Sequence, residues 1–131
     1  MSMTNYLEAK LLDHSVGTAA YTMPTDVFMK LHVGDAGEDG TANPAAHTAR
    51  VQADFDPAAP DAGNGNAMTA SLSAPITFSG MTADEAITHF SLWDAAGAAA
   101  GNPLWKGALT STKNVEVGDD LVLDGADLTL D

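Results

Sequence analysis

Val27-Phe28-Met29-Lys30-Leu31-His32-Val33 is the stretch that decides the fold. Val27, Met29, Leu31 and Val33 alternate with Phe28, Lys30 and His32, and a period of two belongs to a strand with one covered face. The run begins after Pro24 and stops at Gly34, where an acidic glycine loop, Asp35 to Gly40, takes over. Downstream the same parity returns. Val51, Ala53 and Phe55 alternate with Arg50, Gln52 and Asp54, and the Pro, Asp, Gly and Asn of residues 56–66 read as loop. Ala70, Leu72, Ala74, Ile76 and Phe78 share one side of a further strand, where Pro75 predicts an edge or a bulge.

Ile87 to Asp94 and Leu104 to Thr110 read as the arms of a long hairpin around an Ala and Gly loop. Thr82 to Glu85 has capping-box spacing, but the β-branched and aromatic run behind it favours a single turn. Asn114 to Val117 is a short strand of its own. The close is a near-repeat, Asp120-Leu121-Val122-Leu123-Asp124 and Asp127-Leu128-Thr129-Leu130-Asp131 around Gly125-Ala126, which predicts a terminal hairpin with leucines inward.

Upstream the period changes. Leu7, Leu11 and His14 fall at i, i+4 and i+7 between a Ser2 or Thr4 cap and Gly17, so a helix of about three turns is predicted. So short a helix is unstable alone and must dock on its own sheet or on a neighbour. The expected architecture is all-β, a β-sandwich or barrel of about seven to eight short antiparallel strands, with one short N-terminal α-helix. We read one domain over residues 1–131, with 1–20 as a helical docking arm and 21–131 as the sandwich.

Composition narrows the function. The chain has 131 residues, and 24 of its apolar residues are alanine, so the core is thin. Five Lys and Arg against 18 Asp and Glu leave a net charge of −13, which repels nucleic acid phosphates and anionic lipid. Neither nucleic acid nor membrane is an expected partner. Without cysteine there is no disulfide or thiolate chemistry, and no export signal or 18-residue apolar window is present, so a soluble chain is expected.

Motifs for chemistry fail one by one. Asp35, Asp39 and Gly40 match positions of a calcium loop, but Gly37 and Ala46 stand where ligands are required. His14, His32, His47 and His89 have no metal-site spacing, and Ser79 has no nucleophile elbow around it. We therefore expect no enzyme, no catalytic residues, no cofactor and no metal. Trp93 and Trp105, placed to stack or flank one another across the long hairpin, admit two readings: core packing, or an exposed anchor for a protein partner. Met3, Tyr6, Met23 and Met29 admit the same two.

The order of these pieces resembles a family of small tailed-bacteriophage virion structural proteins, labelled tail-fibre-like or minor structural, some of which are head decoration (cement) proteins. The resemblance rests on Asn5-Tyr6-Leu7-Glu8 with Leu11-Leu12-Asp13-His14, Gly17-Thr18, Ala49-Arg50 leading to Phe55, and Ile76-Thr77-Phe78. It continues through Ile87-Thr88-His89-Phe90, Trp93-Asp94-Ala95, Trp105 with Gly107, Val117-Gly118-Asp119 and Ala126-Asp127-Leu128-Thr129. Ala46-His47-Thr48-Ala49 and the proline-rich loop at 56–66 depart from the family pattern. The resemblance implies a non-enzymatic virion component made in the host cytoplasm. Head decoration is the leading expectation: binding to the major capsid protein on the capsid exterior, with copies of itself as trimers. A tail or tail-fibre component is the alternative, and an extracellular carbohydrate- or calcium-dependent adhesion module the second. The expected docking residues are Tyr6, Leu7, Leu11 and His14 on the helix and Trp93 and Trp105 on the hairpin.

Overall fold

The structure, a computed structural model, describes residues 1–125 and the backbone of Asp127–Leu130. Along the chain come β1 (Ser2–Met3), α1 (Asn5–Ser15), β2 (Phe28–His32), β3 (Val51–Gln52), β4 (Ala59–Asp61), β5 (Ala67–Ser71) and β6 (Ile76–Phe78). They are followed by β7 (Glu85–Trp93), β8 (Pro103–Val115), β9 (Leu121–Leu123) and β10 (Asp127–Leu130). The strands form a five-stranded sheet, β1-β8-β7-β2-β3, a three-stranded sheet, β10-β5-β4, and a two-stranded sheet, β6-β9. All of these pairings are antiparallel. The chain is all-β with one short helix, as the alternation predicts, and among the described residues no barrel closes.

The core lies between the five-stranded sheet and the β6-β9 pair. Met29 and Leu31 of β2 and Ile87, Phe90 and Leu92 of β7 face Phe78 and Ile76 of β6 and Leu121 and Leu123 of β9. Each fully buried side chain of this kind contributes about 1.5–3 kcal/mol, so a few well-placed ones offset the scarcity of large apolar residues. β7 is covered on both sides. From Phe90 to Trp93 every residue is buried, because the acidic loop and the start of α1 lie against the face that the core does not reach. Leu7, Ala36, Trp93 and Leu104 are buried there, outside the main cluster.

Thr4 fixes the helix to the sheet. Its N–H donates to the Leu104 carbonyl at 3.0 Å, and its hydroxyl donates to the Pro103 carbonyl at 2.6 Å. The same oxygen accepts from Leu7 N, the N-cap bond that starts α1.

Four local expectations are corrected. The terminal near-repeat does not pair with itself: β9 pairs with β6, Ile76 opposite Leu123, and β10 pairs with β5, Leu128 opposite Ala70. Two similar leucine arms each find a better cross-strand partner at long range than across their own turn. Ala126, Asp131 and the direction of the leucines in the second arm lie outside the described residues. The strand read through Ala70 to Phe78 is two strands in different sheets, broken before Pro75, whose missing N–H cannot serve a continuous ladder. The loop at 56–66 contains β4, where Pro60 is tolerated because β4 is an edge. Asn114 belongs to β8, which runs on to Val115.

The tryptophans also differ from expectation. Trp105 stands opposite Leu92 and packs on the core, whereas Trp93 stands opposite Pro103 beyond a register shift. They occupy opposite faces of the sheet and do not stack, because one step along a strand reverses side-chain direction.

Candidate functional site

The outer side of α1 presents an apolar groove. Leu7 turns inward and is 5% exposed, while Leu12, one helical step away from Leu11, is 65% exposed. Leu11, Leu12, Glu8 and Ser15 line a cavity of about 410 Å³ together with Met3 from β1. The docking residues predicted on the helix therefore divide. Leu7 holds α1 to its own sheet, and Leu11, half-buried, lines the groove. Tyr6 is half-buried with Lys10 Nζ 5.8 Å from its ring centre. His14 is exposed, and its Nδ1 accepts from the Tyr21 N–H at 3.1 Å. Sequence periodicity groups Leu7 with Leu11 and gives Leu12 no special place. The residue that opens outward is the one the pattern passes over.

The long hairpin is organised from behind by a cation. Arg50, just before β3, donates from Nη1 to the carbonyls of Ala95 at 2.9 Å and Ala100 at 2.7 Å, and from Nη2 to Ala98 at 3.3 Å. Its guanidinium carbon lies 3.7 Å from the Trp93 ring centre. Burial lowers the Arg50 pKa, with Asp94 acting in the opposite sense. Asp94 in turn accepts from Asn102 N and Nδ2 at 2.6 and 2.9 Å, closing the base of the tip. The result is an exposed, uncharged Ala and Gly tip held in one shape. Trp93 is 6% exposed and is engaged with Arg50 and, through Nε1, with Ser91 Oγ at 2.8 Å. Trp105 is half-buried.

The acidic loop is used internally. Glu38 Oε1 lies 2.8 Å from Lys106 Nζ on β8, and Glu38 Oε2 accepts from Asn5 N at the start of α1. Asp35 adds a longer contact to Lys106, at 3.4 Å, and accepts from Gly37 N. That backbone bond is the main cause of the lowered Asp35 pKa. Asp39 accepts from Thr41 N and is lowered for the same kind of reason. The loop thus ties helix and sheet together. Among the described residues no three His, Cys, Asp or Glu side chains converge as metal ligands would.

One constellation resembles a catalytic pair and is closed to solvent. His32 Nε2 lies 2.8 Å from Ser91 Oγ, and His32 Nδ1 lies 2.8 Å from the Ala42 carbonyl. The Ala42 carbonyl can only accept, so neutral His32 carries its proton on Nδ1, and Ser91, whose Oγ accepts the Trp93 indole N–H, donates its own hydrogen to Nε2. Both side chains are fully buried, and the hydroxyl donates to the imidazole in a satisfied network that locks β2, β7 and the segment following the acidic loop. Burial, first among the causes, depresses the His32 pKa. Ser79, by contrast, contributes its carbonyl to His47 Nε2 at 3.2 Å. Arg50, His32 and Ser91 are not legible as a set, because alternation puts Arg50 and His32 opposite the apolar side chains and gives Ser91 no face.

The geometry leaves two features exposed, the apolar groove on α1 and the hairpin tip. Compared with known proteins, residues 2–131 match a family model described as podophage GP4 fiber I protein gp80. No curated protein matches the chain.

Proposed function

The chain belongs to the podophage GP4 fiber I protein family, a family of phage structural proteins, and from that premise we propose that it is a non-enzymatic component of the virion's fibre. The match over residues 2–131 carries this reading. Its description favours the fibre alternative over head decoration on a major capsid protein. The chain acts as one unit: the β layers form the body, and α1 with β1 forms the arm that docks.

Docking uses the outer face of α1. Met3, Leu11 and Leu12 supply apolar area that their own sheet leaves uncovered, and exposed apolar side chains grouped in a groove suit a protein partner. Trp93 is engaged within the chain, so the hairpin presents backbone and methyl groups of its tip. The partner is another protein of the particle. A surface this acidic discriminates against nucleic acid and suits a partner face of opposite charge.

Stoichiometry tests the reading. Quantitative mass spectrometry of purified particles is expected to find this chain in small copy number, matching other fibre components. Hundreds of copies per particle would favour head decoration instead, and absence from particles would refute a virion role.

A further inference from the structure

A second crevice, of about 450 Å³, opens beside the core between β8 and β9. Met29 and Phe90, both buried, form its floor, with residues 108–110 on one side and 122–125 on the other. A bulge makes the room. His89 pairs with Ala108 and Ile87 with Lys113, so residues 109–112 stand opposite the single residue Thr88 and leave the ladder.

Lys113 and Asp124 bring the charges to this crevice. Asp124 is exposed, whereas Lys113 is half-buried with its ammonium reachable from solvent. The other cations of the chain have company: Lys106 is paired with Glu38 and Asp35, Arg50 with carbonyls and Trp93, Lys30 with the Trp93 ring and Lys10 with Tyr6. Among the described residues the Lys113 side chain has neither a carboxylate, a carbonyl nor a ring beside it, in a chain with 18 acids. A cation left without a partner beside an apolar floor matches a ligand with an apolar body and an anionic end. Asp124, on the exposed rim of the crevice, opposes an anion locally, while the rest of the net charge is screened beyond about 8 Å at physiological salt.

We propose that this crevice binds an apolar monocarboxylate, its hydrocarbon on Met29 and Phe90 and its carboxylate on Lys113. The site is independent of the virion role and stands or falls separately from it.

Titration calorimetry at about 0.15 M salt with decanoate, decanol and decyltrimethylammonium tests the site, since the three share a tail and differ in head group. Decanoate is expected to bind about tenfold more tightly than the others, as one charge-assisted bond provides. Lys113→Met is expected to remove the advantage of decanoate over decanol, and Lys113→Arg to retain it. Amide shifts in the NMR spectrum of the wild-type chain are expected at residues 108–110 and 122–125. Failure of decanoate to bind, equal or tighter binding of the ammonium probe, or shifts confined to the α1 groove would overturn the proposal. Should Lys113→Met fail to fold, the probe ranking and the shift map on the wild-type chain decide it.

Discussion

Arg50 holds its guanidinium carbon 3.7 Å from the centre of the Trp93 ring, and this contact joins the entrance of β3 to the end of β7 and the hairpin tip beyond it. The same group reaches three carbonyls of that tip. Replacing Arg50 by Ala is expected to cost about 1–3 kcal/mol, from the lost cation–π contact and charged hydrogen bonds. Lys at this position recovers only part, since an ammonium has no planar fork to serve three acceptors while lying on a ring. Urea unfolding measures the loss, and limited proteolysis is expected to cut Arg50→Ala first within residues 95–100.

Gly40, at the end of the acidic loop, packs against Trp93 as well. Its φ is +67°, and a Cβ there would meet the Trp93 ring and Pro103. Gly40→Ala is expected to destabilise the fold by about 1–3 kcal/mol through strain and overpacking. Gly65→Ala, also at positive φ but facing open space, is expected to cost less, because only the backbone term remains. Thermal unfolding of the two variants side by side checks the difference.

His32 makes stability depend on pH in a defined direction. Its folded pKa lies below the ordinary 6.5, chiefly through burial, and neighbouring Lys30 and His89 also disfavour its charge. The unfolded chain therefore binds the proton first. The contribution of His32 is complete above pH 6.5 and is lost as pH falls from there toward the depressed folded value. The slope reaches at most about 1.4 kcal/mol per pH unit for one proton. Asp35 and Asp39, lowered below 3.8, lose their contributions only in more acidic solution. Urea midpoints of wild type and His32→Gln between about pH 7 and pH 4.5 separate the two effects: the variant is expected to be less stable and to lack the upper slope.

These contacts also show where sequence and structure part. Alternation reads β2 correctly because the main core covers one of its faces, and Met29 and Leu31 fall on it. It misplaces His32, since the second cover, made by the acidic loop and Leu7, lies on the face that parity assigns to solvent. Thr4 and Gly17 mark the ends of α1 because capping is local chemistry. The terminal repeat misleads for the opposite reason: β9 and β10 look alike, and only distant β6 and β5 decide where they pair. Of the candidate site, Leu11 was legible, while Leu12 and Met3 needed the helix to be seated before their exposure showed.

The proposed docking face is open to direct test. Leu12→Asp changes a side chain that is mostly in water, so stability is expected to stay within about 0.5 kcal/mol of wild type. Incorporation into particles is expected to fall about tenfold or more when the variant is supplied in place of the wild-type chain, as loss of an apolar anchor implies. Ala98→Asp on the hairpin tip serves as the comparison. Reduced incorporation of Ala98→Asp with normal incorporation of Leu12→Asp would move the docking surface from α1 to the tip.

The role in the particle is tested most directly by location. Gold-labelled antibody against residues 94–102, applied to intact phage and imaged by electron microscopy, is expected to mark the fibres. Label spread over the head, or particles without label although the chain is present in the infected cell, would contradict the account.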